Sequence, residues 1–180
     1  MNHNYTRSAQ VMHWGMALLI LALLIAGLAM VQSLAPWQPV LVSMHKAFGI
    51  LAMFAVLIRL VIRLQNPPPV LPASVPTWQQ RVSAISHLLF YAGMIAMPLS
   101  GWLMQSAAGR PVAFFGLFTL PDVLPNSLVL YSFFRESHGL IALALIALIH
   151  IHIAAALYHA WVKRDGVFSR MIKSNKTGLS

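Results

Sequence analysis

At 180 residues, with 59% hydrophobic and only 8% charged residues, this chain has too little polar surface to face water on all sides; a soluble domain carries roughly 25% charged residues. The formal net charge of +9 would suit a nucleic-acid binder, but the basic residues sit between and after long apolar runs, so membrane topology explains them and nucleic acid is rejected. The absence of cysteine excludes disulfides, thiolate metal sites, a cysteine nucleophile and thioether-linked haem.

Four apolar runs follow in order, roughly Ala9 to Val31, Val40 to Leu64, Arg81 to Met104 and Ser137 to Val162. Each exceeds the ~20 residues that cross a ~30 Å hydrocarbon core at about 1.5 Å per residue. Backbone groups in lipid must be satisfied within the segment, and none of the runs alternates, so they are predicted helices rather than barrel strands. The fold class is all-α: a single domain over 1–180, a four-helix transmembrane bundle with a basic tail over 163–180. The first run superficially suits a signal peptide, with Arg7, an apolar stretch and Ser33-Leu34-Ala35. Its length and its opening His13-Trp14 pair argue for a retained helix.

The connections differ in kind. Gln65 to Thr77 holds Pro67, Pro68, Pro69, Pro72 and Pro76 and reads as a stiff, extended linker. Trp78 marks the interface where the third helix begins. Gln105 to Glu136 is longer, and its apolar, aromatic part, Pro111 to Leu120, is expected in the headgroup zone or as a cap on the outer end of the bundle. The tail from Lys163 suits an anionic lipid surface. No internal repeat is seen.

Orientation follows from Lys and Arg. With the N-terminus cytoplasmic, Arg7, Arg59, Arg63, Arg81, Lys163, Arg164, Arg170, Lys173 and Lys176 lie inside, nine in all, against three outside: Lys46, Arg110 and Arg135. Both termini are therefore expected in the cytoplasm, with the helices in a bacterial inner membrane.

Histidine carries the chemistry. Eight are present, six or seven of them in apolar runs, whereas Asp122, Glu136 and Asp165 are the only acids. Ionisable groups inside a membrane are rare and mark sites. Histidine without intramembrane carboxylate or thiolate suits haem iron first, then zinc or copper. His138 and His152 are fourteen apart, which returns to the same helix face within about 40° and separates them by roughly 21 Å. One helix thus offers a ligand near each membrane face. His150 points elsewhere and reads as a packing or hydrogen-bonding residue; His159 lies on the His152 face, one heptad further in. His3 reads as a terminal residue, and the scattered methionines as bundle filler.

Depth pairs His45 with His138 at the outer side and His13 with His152 at the inner side. Gly49 and Ala52 follow His45 on one face and leave room for a flat macrocycle. Arg59, fourteen after His45, is placed to meet a haem propionate, as is Arg63, although both also suit interfacial anchors. Gly27, fourteen after His13, clears space at the outer level. His87 rivals His13 at the inner end, with Gly101 fourteen residues beyond it, and spacing alone leaves that choice open. The depth match is imperfect: His13 is six residues from Arg7, His152 eleven from Lys163.

These residues resemble the bacterial cytochrome b561 family, related to the cytochrome b subunits of nickel hydrogenases and formate dehydrogenases. The resemblance rests on Tyr5-Thr6-Arg7, His13-Trp14, Met44-His45 with Gly49-Ile50, Arg59-Leu60 with Arg63-Leu64, the proline linker, and His87 with Tyr91. It continues in Phe115-Gly116-Leu117, His138, and His152 with Ala154-Ala155-Ala156-Leu157 and His159, so it runs nearly end to end. The resemblance implies four helices and two b-type haems, the inner on His13 and His152, the outer on His45 and His138. It also implies that His87 and His159 flank a quinone site. Some members are reported to oxidise superoxide at the outer face and reduce ubiquinone; others dock a separate oxidoreductase.

The expected function is electron transfer from a periplasmic donor, with superoxide as one candidate, to ubiquinone or another quinone. The alternative is a haem-b anchor and electron-transfer subunit for a periplasmic redox protein. A third class is a non-haem metal transporter. The outer cations and acids leave only +1 to attract superoxide. No flavin or nicotinamide fingerprint appears, so beyond membrane lipid and quinone, any catalytic partner is a separate protein or a small molecule.

Overall fold

The computed structural model describes residues 4–32, 34–70, 72 and 75–172. His3, Ser33, Lys173 and Lys176 lie outside the described residues. Four helices are long and apolar enough to cross a membrane. They are α1 (Arg7–Gln32), α2 (Gln38–Gln65), α3 (Thr77–Ala107) and α4 (Leu128–Tyr158). At 26 to 31 residues they reach about 39 to 47 Å and extend beyond the hydrocarbon at their ends. Their outward faces carry exposed Leu18, Ile25, Leu88, Leu140 and Ile151, a surface for lipid rather than water.

Helix boundaries follow local chemistry. Pro39 stands in the first turn of α2, where no backbone donor is needed. The linker backbone is still extended at Pro76, and α3 begins immediately after it. α4 begins at Leu128, nine residues before the expected start, because Ser127 caps it: its hydroxyl accepts from the Leu130 N–H at 3.3 Å. Arg135 and Glu136 had suggested a loop, yet both are exposed on a helix that outruns the hydrocarbon.

The segment Pro111 to Leu120 departs from expectation. It forms a hairpin, β1 (Val112–Phe114) and β2 (Phe118–Leu120), lying along the side of α2 rather than over the bundle's end. Lys46 Nζ donates to the Pro111 carbonyl at 2.8 Å, Phe115 meets Phe48 at 5.1 Å, and Phe114 reaches Phe54 at 6.3 Å. Phe54 is sixteen residues into α2, so the aromatic contacts descend well below the helix end. Phe115 and Gly116 both have positive φ, 48° and 77°, and the Leu117 N–H donates to the Phe114 carbonyl at 2.9 Å. Phe114 pairs with Phe118, so the strands are joined by a three-residue loop, Phe115 to Leu117, which opens on a tight turn with two positive-φ residues.

The helices pack as pairs, α1 on α2 and α3 on α4, joined where α2 meets α3. Met16, Val56 and Met94 form a core at mid-depth, with Met12, Ile20, Met53, Phe90 and Tyr91 packed around them. On the other side, α3 and α4 approach closely at Gly93, where an added Cβ would lie 2.7 Å from Leu145 Cδ2. Leu145 is buried and seven residues from both His138 and His152, so it separates two levels on one face of α4.

The first and last described segments lie at one end of the bundle. The Arg170 carbonyl accepts from Tyr5 N–H at 3.3 Å and Gln10 Nε2 at 3.1 Å, and Trp14 Nε1 donates to the Met171 carbonyl at 3.3 Å. Arg170 Nη1 donates to the Val70 carbonyl at 2.6 Å. The segment Phe168–Met171, a 3-10 turn, thereby straps the start of α1 to the proline linker.

Candidate functional site

At the hairpin end, α2 presents His45 and α4 presents His138, with ring centroids 6.3 Å apart. Glycines make the room: a Cβ on Gly101 would lie 3.1 Å from His138 Cε1, and one on Gly27 would lie 3.6 Å from His45 Cε1. Gly27 thus serves the level expected of it. Gly101, fourteen residues along α3 from His87, stands in the same way at the opposite end of the bundle from it, against His138. Gly49 opens onto free space, and Ala52 is buried. Ser100, which the sequence reading missed, contacts His138 Nδ1 at 3.0 Å.

At the termini end, His152 of α4 stands between two histidines. His13 of α1 is 6.2 Å away and His87 of α3 is 6.4 Å away, centroid to centroid. Phe90 packs edge-on to His152 at 5.3 Å, and Trp14 does the same to His13 at 5.3 Å. The choice between His13 and His87, open on spacing, is equally open on these distances. Arg59 Nη2 donates to His13 Nδ1 at 2.9 Å. The Arg59 and Arg63 guanidinium carbons lie 6.0 and 5.5 Å from the Tyr91 ring centre. Tyr5 lies close by; burial raises its hydroxyl above the ordinary range, while Arg63, Arg170 and Arg59 pull it partly back. The phenol stays protonated beside three cations.

The remaining histidines separate as expected or are re-partnered. His150 is exposed and its Nδ1 donates to the Ile146 carbonyl at 2.7 Å, a local bond with no partner across the bundle. His159 begins a π-helical turn, His159–Lys163, closed by Arg164 at φ 52°, whose N–H donates to the His159 carbonyl at 2.8 Å. That turn ends the heptad regularity from which its face was predicted. His159 Nδ1 donates to Asp165 Oδ2 at 2.6 Å, and Asp165 Oδ1 accepts from the Val167 N–H at 3.2 Å. Asp165 as a partner was also missed; an acid six residues after a histidine suggests no contact until the helix widens.

The paired rings suit a haem iron. A metal–imidazole bond is about 2 Å, and the ring centre lies about 1 Å beyond the nitrogen, so two axial imidazoles on one iron have centres roughly 6 Å apart. The separations of 6.2 to 6.4 Å match that span and exceed a direct hydrogen bond. His45 Nδ1 is buried without a hydrogen-bond partner, a cost that a purely structural histidine would not carry. Among the described residues, no three His, Cys, Asp or Glu side chains converge as a bare metal ion would require. The donor set is pairs of imidazoles, which suits a haem better than a bare ion.

A family model described as prokaryotic cytochrome b561 matches residues 4–174. The chain is 31% identical over 163 residues to cytochrome b561 homolog 2 of Escherichia coli (strain K12), covering 89% of this chain and 86% of that protein. It is 26% identical over 183 residues to cytochrome b561 homolog 1 of the same strain, covering 97% and 99%. It is 27% identical over 168 residues to a Yersinia pestis protein named "Probable superoxide oxidase CybB", covering 91% and 93%.

Proposed function

We propose, from the premise that this chain belongs to the prokaryotic cytochrome b561 family of membrane electron-transfer proteins, that it moves electrons across the bacterial inner membrane from a periplasmic donor at the hairpin end to a quinone at the termini end, using two b-type haems. His45 and His138 hold the outer haem, and His13 and His152 the inner one. The observation that carries this reading is the two ring pairs at an iron's span, stacked fourteen residues apart on α4. Held by these histidine pairs, haem would supply one-electron transfer.

The chain's own residues do the rest. Leu145, seated against Gly93, fills the level between the two sites and keeps water out. Arg59 and Arg63 supply cations beside the inner pair. An arginine can only donate, so its bond to His13 Nδ1 leaves the hydrogen on Nε2. Arg59, within reach of His13, would offer its guanidinium to a propionate of a haem held there. His87, beside His152, and His159, held by Asp165, are the imidazoles that relay protons to quinone.

Superoxide is the donor suggested by the printed name of the Yersinia pestis relative. Two superoxide anions each lose one electron and become dioxygen, while two electrons and two protons convert one quinone to quinol. An open cleft of about 400 Å³ at the hairpin end, lined by Arg110, Asn126, Ser127 and Tyr131, offers an anion a cation and the start of α4. A docked redox protein would use the same two haems. The test is a reduced-minus-oxidised spectrum of the purified chain, followed by stopped-flow mixing with superoxide. Two haems per chain with a b-type α-band, reduced by superoxide without a partner, is the expected outcome. A missing α-band sinks the haem reading; an unreactive dihaem protein with a copurifying partner replaces superoxide by that partner.

A further inference from the structure

α3 passes the His45/His138 pair with the run Met97-Pro98-Leu99-Ser100-Gly101. Pro98 lies inside the helix, so the Met94 carbonyl loses its usual backbone donor and the turn loosens. Ser100 is buried, 6% exposed. Its hydroxyl donates to the Met97 carbonyl at 2.8 Å, and the same oxygen lies 3.0 Å from His138 Nδ1.

A serine hydroxyl has one hydrogen. With that hydrogen on Met97, Oγ can only accept from His138, so Nδ1 is the nitrogen that bears hydrogen. Nε2 is then left with a free lone pair. Gly101 leaves the space in which the ring sits. The opposite ring has no such anchor, since His45 Nδ1 is unpartnered.

We infer that Ser100 is a positioning residue for the His45/His138 haem: it fixes the tautomer of His138 and holds the reduction potential of that haem down. This rests on the reading of His45 and His138 as axial ligands. An acceptor on Nδ1–H makes the imidazole a stronger base at Nε2, which favours ferric over ferrous iron. The effect belongs to one haem only, because the Ser100 hydroxyl bonds His138, at the hairpin-end pair.

The experiment is an equilibrium redox titration of the purified dihaem protein, followed in the α-band, for wild type, Ser100→Ala and Ser100→Thr. Ser100→Ala is expected to move one of the two potentials upward by about tenfold in the one-electron equilibrium constant, about 59 mV, and leave the other in place. Ser100→Thr, which keeps the hydroxyl, returns the potential to the wild-type value. Unchanged potentials in Ser100→Ala, equal movement of both haems, or Ser100→Thr behaving as Ser100→Ala overturns the inference while leaving the ligand pair intact. His138→Ala retaining both haems overturns the ligand reading itself. If Ser100→Ala does not load that haem, Ser100→Cys, whose thiol is the weaker acceptor, makes the same comparison.

Discussion

His152 has two neighbours at nearly the same distance, and only one of them can be its axial partner. Ring separations of 6.2 and 6.4 Å do not choose. Chemistry assigns different roles if His13 ligates iron and His87 faces quinone. His13→Ala and His152→Ala are then expected to lose one haem of two, read as half the α-band absorbance per chain. His87→Ala is expected to keep both haems and slow quinone reduction by roughly a hundredfold, within the range for a lost acid–base group. A His87→Ala protein with one haem would reverse the assignment. The fourteen-residue spacing puts His138 and His152 on one face of α4, depth matches His45 to His138, and the preference for His13 over His87 comes from the family resemblance alone. Ser100 was not: its partner is 38 residues away on another helix, and one hydroxyl leaves no periodic trace. Asp165 was hidden for a different reason, since its contact exists only because α4 widens into a π-helical turn at His159.

Between α3 and α4, the closest approach is a glycine against a leucine. Leu145 is 4% exposed, so its side chain has little space into which to retreat from a larger residue at 93. Gly93→Val is expected to lower the stability of the bundle by about 1–3 kcal/mol through overpacking, measured as a fall in midpoint temperature in detergent. Combining it with Leu145→Ala removes the clash, so the double variant should be more stable than the sum of the two single changes predicts. Additive losses would mean that the two side chains do not meet. Helices of this kind are readable from hydropathy alone, and three of the four begin within four residues of the expected start. α4 is the exception because the Ser127 cap precedes the apolar run, and the charges Arg135 and Glu136 concealed its first turns. The hairpin was unreadable for want of length: strands of three residues have no period to detect, and apolar aromatic content reads equally as loop, cap or interfacial segment.

Charge is distributed over the whole molecule, and its asymmetry is what assigns the proposed electron path a direction. Among the described residues, the termini end holds Arg7, Arg59, Arg63, Arg81, Lys163, Arg164 and Arg170, while the hairpin end holds Lys46, Arg110 and Arg135. At the hairpin end, Lys46 is tied to the Pro111 carbonyl and Arg110 lies over the Tyr131 ring at 5.9 Å, so those cations are engaged locally. By the positive-inside rule this bias would place the ends of the bundle that carry Arg7 and Arg170 in the cytoplasm and the His45/His138 pair near the periplasm, the orientation that the proposed path requires. Because the chain has no cysteine, single thiols can be introduced without background. Asp122→Cys and Arg164→Cys stand at exposed positions at opposite ends. In spheroplasts, a membrane-impermeant maleimide is expected to label Asp122→Cys at once and Arg164→Cys only after lysis. Labelling of Arg164→Cys in intact spheroplasts would invert the bundle, put the His13/His152 pair at the donor side, and reverse the proposed path from outer donor to inner quinone.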